Sequence, residues 1–227
     1  MNAPSTLSLR VGVTGHRMNK LRADETGRLK REVRSALALL RRKLTEVAKR
    51  APGMRASGAK LQIVSPLAEG ADRIVATAAL DEEAELIVLL PFARDEYARD
   101  FADRSSREEF FALLGRAAEV VELEHDGKKG REIGYARVGA LVVERSDVLI
   151  ALWDGAKASG AGGTAQIVAL ARRRGRPILW LPTADAAMEG NARSPRLLLP
   201  DRIVSADATK EFAAIAKTIL ARQLEGA

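Results

Sequence analysis

Hydrophobic and polar positions along the chain follow two periods in turn, one typical of strands and one typical of helices. Short, near-continuous apolar stretches that end at glycine, proline or a polar residue predict the buried strands of a parallel sheet. These stretches are residues 7–13, 61–64, 86–90, 120–123, 148–153 and 177–181, and residues 203–204 are predicted to form an edge strand. The pattern therefore predicts a sheet of short, largely buried strands.

Apolar residues spaced three and four apart predict helices between these strands. The clearest helix covers residues 25–50, where Leu29, Val33 and Leu37 begin an apolar face. Further helices are predicted over residues 71–80, 106–118, 131–143, 164–174 and 210–223, and residues 183–200 are predicted to be irregular. Alternating strands and helices predict an α/β fold, with a Rossmann-like, doubly wound, mainly parallel sheet and helices on both faces. We expect residues 1–227 to form a single domain of this kind.

Positive charge is concentrated at the start of the chain. Fifteen of the 37 Lys and Arg residues, but only four of the 30 Asp and Glu residues, fall within residues 1–60. One face of the predicted helix over residues 25–50 is strongly basic, which favours salt-sensitive binding of polyanions. Basic faces of amphipathic helices are more often simply solvated, however, and this one lacks aromatic residues for base stacking.

The residue types that are rare or absent restrict the chemistry. The chain has no cysteine and only two histidines, His16 and His125, so disulfides, thiolate metal sites and histidine clusters are excluded. We expect neither a metal nor a cofactor. No apolar run has the length of a membrane span, and the opening residues lack the pattern of a secretory signal. We therefore expect a cytoplasmic protein without membrane contact.

Glycines and polar residues follow the predicted strands where ligands bind in α/β sheets, beyond the carboxyl ends of the strands. Gly15 allows a close approach of the backbone, and Arg17 offers positive charge to an anion. Glu69 can accept hydrogen bonds from ribose hydroxyls, and Phe92 can stack on a base. The candidate residues in these turns are Thr14, Gly15, His16, Arg17, Ser65, Glu69, Gly70, Asp72, Arg73 and Phe92.

Each of these turns also has a purely structural interpretation. A glycine turn with an arginine is often structural. Asp72 and Glu69 can cap the following helix while Arg73 pairs with one of them. Phe92 is equally well interpreted as a core residue. These turns therefore indicate a site only in combination.

The strongest local signal is the loop between residues 148–153 and the helix predicted over residues 164–174. Its glycines let successive backbone N–H groups point towards an anion, and the helix start adds a positive dipole. The loop therefore predicts phosphate binding. Its spacing matches neither a Walker loop nor a dinucleotide fingerprint, which argues against ATPase and dehydrogenase chemistry. The candidate residues here are Asp154, Gly155, Gly160, Gly162, Gly163 and Thr164.

As an ordered set, the motifs resemble those of the SLOG superfamily. The resemblance is carried by VGVTGHR, SPLAEGADR, LLPF, SDVLIALWDG and GAGGTA, which fall between Leu9 and Leu181. The superfamily includes the Lonely Guy phosphoribohydrolases, the DNA-processing protein Smf and nucleotide-sensing domains of bacterial defence systems, and the likeness is greatest to the last of these. It implies a Rossmann-like fold with the ligand across Gly15, the turn at Gly70 and the helix start at Gly163.

The resemblance implies one main function and two alternatives. The main function is binding or sensing of a nucleotide-derived ligand, such as an ADP-ribose-like or cyclic nucleotide species, in bacterial defence signalling. The first alternative is a nucleoside-monophosphate phosphoribohydrolase or N-glycosidase. In those hydrolases two residues separate the glycine-threonine pair from a catalytic glutamate, and here Ile167 occupies the place of that glutamate, so whether the chain is an enzyme stays open. The second alternative is a Smf-like single-stranded DNA binder. The resemblance also implies a homo-oligomer.

Overall fold

The computed structural model describes residues 6–51, 58–101, 103–124, 130–157, 163–183 and 193–225. Within these ranges, eight strands form one sheet. They are β1 (Leu7–Gly15), β2 (Ala59–Ser65), β3 (Glu85–Leu90), β4 (Glu119–Glu122), β5 (Val148–Trp153), β6 (Ile178–Pro182), β7 (Arg196–Leu198) and β8 (Ile203–Val204). Their order is β4-β3-β2-β1-β5-β6-β7-β8, and neighbours from β4 to β6 are parallel. The prediction of a mainly parallel sheet is confirmed.

Helices cover both faces of the sheet. They are α1 (Ala23–Ala48), α2 (Ala71–Asp81), α3 (Arg94–Tyr97), α4 (Arg104–Leu114), α5 (Arg131–Glu144), α6 (Thr164–Arg173) and α7 (Ala208–Glu225). One face of β1 contributes Leu9 and Val11 to a core shared with α1, α2, α4 and α7. The opposite face of the sheet packs against α5 and α6, where Val142 and Ile167 are buried. The doubly wound arrangement predicted from the alternation is therefore present.

Helix α1 has the apolar face that its residue spacing predicts. Leu29, Val33 and Leu37 are each fully buried. The helix begins after Arg22, where the Glu25 side chain accepts a hydrogen bond from the Arg22 backbone N–H at 3.0 Å. This arrangement satisfies one of the donors that a helix start leaves free.

The prediction of an irregular segment over residues 183–200 is wrong at its end. Strand β7 pairs antiparallel with β6, with Leu197 opposite Leu179, and β8 pairs antiparallel with β7 at the sheet edge. A three-residue strand is too short to show a period in the sequence, and its pairing depends on a neighbour distant along the chain. Residues 184–192 lie outside the described ranges.

The segment after β3 packs an aromatic cluster into the core. Tyr97 is 2% exposed and Phe101 is 0% exposed. Their rings meet edge to face with centroids 5.1 Å apart, and the Phe110 ring of α4 lies 5.7 Å from that of Tyr97. This cluster fixes α3 and α4 against the carboxyl end of β3.

The chain reverses its direction of travel across the sheet at β1. Strands β2, β3 and β4 add successively to one side of β1, whereas β5 and β6 add to the other side. The connections that leave β1 and β5 therefore pack on opposite faces and leave a crevice between the carboxyl ends of these strands. In the described residues, no helix is long and apolar enough to cross a bilayer.

Candidate binding site at the β1 and β5 strand ends

A cavity of about 400 Å³ opens at the carboxyl ends of β1 and β5. We call it the switch-point cavity. The turn after β1, the turn after β5, the first residues of α6 and one side of α5 line it. Pockets that hold small molecules commonly have volumes of about 300–1,000 Å³, so this cavity is large enough for one.

The turns after β1 and β2 pack directly on each other, because two glycines permit it. A Cβ atom on Gly15 would lie 2.4 Å from the Cβ of Ala71 and 2.6 Å from the carbonyl oxygen of Leu152. Gly70 has φ of +88°, and a Cβ there would lie 2.5 Å from the carbonyl oxygen of His16. That same oxygen accepts a hydrogen bond from the Ala71 N–H at 3.0 Å. Both glycines therefore serve the close approach of two backbones.

His16 connects the turn after β1 to the turn after β5. Its Nε2 lies 3.1 Å from the backbone nitrogen of Asp154 and 3.0 Å from the Oδ2 of the same residue. An unprotonated Nε2 accepts from the N–H, whereas a protonated one donates to the carboxylate, so either state of the ring makes a contact. The imidazole is 8% exposed. It therefore serves chiefly to hold the two turns together.

Three cations surround the cavity without carboxylate partners among the described residues. Arg17, Lys20 and Lys157 line the cavity and are exposed. The Arg17 guanidinium lies 5.8 Å from the centroid of the Tyr135 ring. Because no carboxylate in the described residues forms a salt bridge with these three side chains, they give the cavity a positive rim.

The start of α6 adds backbone donors to the same cavity. Gly163 is its N-cap residue, and Gly163, Thr164 and Ala165 line the cavity. The Gly163 carbonyl accepts from Gln166 at 2.9 Å, but the Thr164 and Ala165 N–H groups donate to no acceptor within the described ranges. The first turn of α6 contains no acidic residue. Free N–H groups and the helix dipole together favour an anion at this position.

Asp72 contributes a buried carboxyl group to the cavity. The residue is 5% exposed, and its Oδ2 accepts a hydrogen bond from the Ala68 N–H at 3.1 Å. Burial raises the pKa of the Asp72 carboxyl to about 7, although that hydrogen bond and the charges of Arg17 and Arg73 lower it. A carboxyl that titrates near neutral pH inside a cavity is a frequent feature of functional sites.

The remaining wall is apolar and aromatic. Helix α5 contributes Tyr135, Val138 and Val142, and strand β5 contributes Trp153. Gly139 of α5 allows Ile167 of α6 to approach, since a Cβ on this glycine would lie 2.3 Å from the Ile167 Cδ1. The cavity therefore combines a cationic rim with surfaces on which a planar ring can pack.

Three candidates from the turn after β2 lie outside the cavity and brace the fold. The Ser65 hydroxyl accepts from the Leu67 N–H at 3.1 Å. The Glu69 carboxylate accepts a hydrogen bond from the Ser106 hydroxyl. Arg73 is 3% exposed, and its Nη1 donates to Ser106 and to Glu109, each at 2.9 Å. Glu69 and Arg73 thus fasten the start of α2 to α4. The capping of α2 by Asp72 or Glu69 is not observed, because the N-cap is Gly70 without a side-chain cap, and Arg73 pairs with Glu109 instead of either carboxylate.

Phe92, Gly70 and Gly155 also lie outside the cavity lining. Phe92 is fully buried, and its ring contacts that of Tyr135 edge to face with centroids 5.4 Å apart. Gly155 has φ of +81° and packs against the Trp180 ring. Gly160 and Gly162 lie outside the described residues, as does His125.

The structure brings eight of the candidates from three separate turns into one cavity: Thr14, Gly15, His16, Arg17, Asp72, Asp154, Gly163 and Thr164. Sequence reasoning missed Lys20, Lys157 and Tyr135, which also line it. Lys157 falls within the glycine-rich loop and was detectable there as a cation beside predicted phosphate donors. Tyr135 had no such signal, because it lies within a helix rather than after a strand.

Fold and site together define an α/β Rossmann-like protein with a positively rimmed cavity at its topological switch point. Comparison with solved structures finds DNA processing protein A from Streptococcus pneumoniae, with 18% identity, a TM-score of 0.50, and coverage of 78% of this chain and 51% of that one. The chain thus spans about half the length of that protein. DNA processing protein A from Helicobacter pylori, described for its single-stranded DNA binding mode, matches with 18% identity, a TM-score of 0.46, and coverage of 97% and 82%. The sequence matches no family model and no curated protein.

Proposed function

We propose that the chain binds a nucleotide-derived ligand whose phosphate lies in the switch-point cavity. The observation that carries this proposal is the meeting of unpaired cations with free backbone donors. Arg17 and Lys157 lie on the rim, and the N–H groups of Thr164 and Ala165 line the same space. An anion there gains charge-assisted hydrogen bonds without displacing an existing carboxylate.

The rest of the lining suits the sugar and base of a nucleotide. Tyr135 and Trp153 offer aromatic surface, and Val138 offers apolar surface beside them. Hydrogen-bond donors for a phosphate beside a flat apolar wall for the base are an arrangement that suits a nucleotide. The motif resemblance to nucleotide-sensing defence domains supports the same ligand class, with ADP-ribose-like and cyclic nucleotides as members to test.

Binding is a better-supported function for this cavity than hydrolysis. Ile167, which stands where the phosphoribohydrolases have a glutamate, is 6% exposed and packs into the core with α5. Its apolar side chain can neither stabilise a ribosyl cation nor move a proton. We therefore infer that the cavity binds the ligand and that the residue at position 167 does not take part in cleaving it.

Ligand titration with intrinsic fluorescence tests the proposal. Trp153 lines the cavity, and the chain has just two tryptophans, so a bound ligand changes a large part of the signal. We expect AMP, ADP-ribose or a cyclic nucleotide to bind, and Arg17→Ala and Lys157→Ala each to weaken binding about tenfold or more, because each removes a charge-assisted contact.

Lys210→Ala is the matched control, because Lys210 is an exposed cation that pairs with Asp207 at 2.9 Å outside the cavity. It leaves affinity unchanged. Equal effects of all three variants would contradict a phosphate site at the cavity rim, and so would the absence of binding across the nucleotide panel.

A second candidate function is single-stranded DNA binding, which the fold likeness to a DNA processing protein favours. The basic face of α1 is the surface to examine. Arg34 and Arg41 of this face pair with Asp81 and Glu83 at 2.6 Å and 2.5 Å. Arg31 and Arg42 are exposed and have no carboxylate partner within the described ranges. Roughly half of the charge on this face is therefore already compensated, and the rest is available to phosphates.

Oligonucleotide binding at several salt concentrations separates the two functions. If α1 binds DNA, Arg31→Ala and Arg42→Ala each reduce the slope of log affinity against log salt concentration by about one, because each removes one phosphate contact. The affinity for nucleotides stays unchanged. If the cavity binds the DNA, Arg17→Ala weakens both ligands together. Absence of oligonucleotide binding at about 50 mM salt removes this candidate, since electrostatic binding is strongest there.

A further inference from the structure

Asp72 is the feature of the cavity that phosphate binding leaves unexplained. It is 5% exposed, and the exposure that remains faces the cavity that it lines. Its Oδ2 accepts from Ala68, but its Oδ1 has no hydrogen-bond partner in the described part of the chain. This oxygen is open to the cavity, so a ligand that displaces water from it must supply a hydrogen-bond donor in exchange.

No cation of the site is placed to pair with Asp72 directly. Arg73 is next to it in sequence, but the Nε of Arg73 donates to the Leu67 carbonyl at 3.1 Å and its Nη1 donates to Ser106 and Glu109. Arg17 acts on Asp72 through its charge but forms no salt bridge with it. The Oδ1 of Asp72 is therefore suited to an uncharged hydrogen-bond donor of a ligand, because the carboxylate would repel a phosphate placed there.

Asp72 and the anion donors come from opposite layers of the fold. Asp72 belongs to α2, which packs on one face of the sheet, while Thr164 begins α6 on the other face. A ligand that crosses the crevice therefore meets N–H donors at one side and a carboxyl acceptor at the other. In a nucleotide, the groups that donate without carrying negative charge are the sugar hydroxyls and the amino groups of the base.

We infer that Asp72 accepts a hydrogen bond from a ribose hydroxyl, so that the switch-point cavity takes ribonucleotides in preference to deoxyribonucleotides. This inference rests on the proposed function and narrows its ligand class. Sites built to bond a hydroxyl reject the analogue that lacks it, because the buried acceptor is then left unpaired. A ribonucleotide preference also separates this cavity from any DNA-binding surface of the chain.

The test measures the affinities of AMP, 2′-deoxy-AMP and 3′-deoxy-AMP for the full chain at about pH 8. Because the pKa of Asp72 is about 7, its carboxyl is mainly ionised at that pH. We expect one of the deoxynucleotides to bind about tenfold or more weakly than AMP, since a hydrogen bond to a charged group is lost. The position of the missing hydroxyl identifies the partner of Asp72.

Asp72→Asn keeps the side-chain shape and an oxygen for the Ala68 N–H but removes the charge. We expect this variant to reduce the preference for AMP over the weaker deoxynucleotide to about threefold or less, because a neutral acceptor is weaker. Asp207→Asn, which removes an exposed carboxylate outside the cavity, keeps the full preference. Circular dichroism establishes that both variants are folded.

The outcomes distinguish this inference from the function on which it rests. Equal binding of the three nucleotides by the unaltered chain overturns the hydroxyl contact but leaves phosphate binding intact. An undiminished preference in Asp72→Asn also overturns it. If AMP and both deoxynucleotides bind equally while inosine monophosphate, which lacks the amino group of adenine, binds weakly, Asp72 contacts the base instead. Failure of every nucleotide to bind overturns the proposed function as well.

Discussion

At the scale of single residues, the ionised Asp72 carboxylate that we propose as a ligand contact also lowers the stability of the fold. Its pKa rises from 3.8 to about 7 on folding, chiefly because burial removes water from the carboxyl group. A group whose pKa is higher in the folded than in the unfolded chain destabilises the fold when it ionises. The free energy of unfolding therefore falls as the pH rises between about 4 and 7. The charges of Arg17 and Arg73 offset part of this penalty.

Asp72→Asn should remove this pH dependence and stabilise the chain in neutral and alkaline solution. We expect a gain of up to about 4 kcal/mol at pH 8 that shrinks towards zero near pH 4, following the displacement of the pKa. Urea unfolding at both pH values measures the difference. The Tyr97 hydroxyl, whose pKa is raised by burial and by the charge of Asp72, stays neutral throughout this range. A gain of the same size at both pH values would show that ionisation of Asp72 is not its cause.

At the scale of elements, the junction of β1, β5 and α2 is too close for any side chain at Gly15. The nearest atoms include the carbonyl oxygen of Leu152, a backbone atom held by the β1–β5 pairing. Neither strand can move away without breaking its ladder. The same close junction brings the turns after β1 and β2 together, so packing and site geometry depend on one position.

Gly15→Ala should destabilise the chain by roughly 2–3 kcal/mol, because the added methyl group overpacks a rigid junction. It should also weaken nucleotide binding, since the turn that carries Arg17 must shift. Gly27→Ala is the matched control in α1, where a Cβ would meet only the end of the Arg31 side chain at 3.6 Å. We expect it to stabilise the chain by about 0.5–1 kcal/mol through helix propensity. Equal stability of the two variants in urea would contradict this view of the junction.

The elements were largely predictable from the sequence, whereas the exact composition of the site was not. Residues such as Leu29 and Val33 show their burial through spacing alone, because a helix face repeats locally. The choice between Glu69 and Asp72 depends on how the chain turns at Gly70, whose φ of +88° leaves Asp72 lining the cavity and Glu69 bonded to Ser106. That turn is shaped by contact with the turn after β1, which is far away in the sequence. Tertiary contacts of this kind leave no local pattern.

At the scale of the whole molecule, we propose that the described elements unfold as one unit. The larger core cluster joins residues of β1, β3, β5 and β6 with residues of α1, α2 and α7. Since no boundary with few contacts divides this core, one cooperative transition is expected. A boundary between two domains would have to separate paired strands of the sheet.

Unfolding in urea, followed by two probes, tests this proposal. Trp153 and Trp180 lie in β5 and β6, so fluorescence reports on one half of the sheet, while far-ultraviolet circular dichroism reports on all helices. We expect the two transitions to coincide in midpoint and slope. A fluorescence change that precedes the loss of helix would show that the half of the sheet from β5 onwards unfolds on its own.

The crevice between β1 and β5 owes its existence to the path of the chain and not to any side chain within it. Replacing the residues that line it leaves the backbone opening in place, so long as the glycines at its base are kept. Proteins that share this sheet can therefore change their ligand specificity, or lose ligand binding, through a few substitutions in the lining while the fold stays the same.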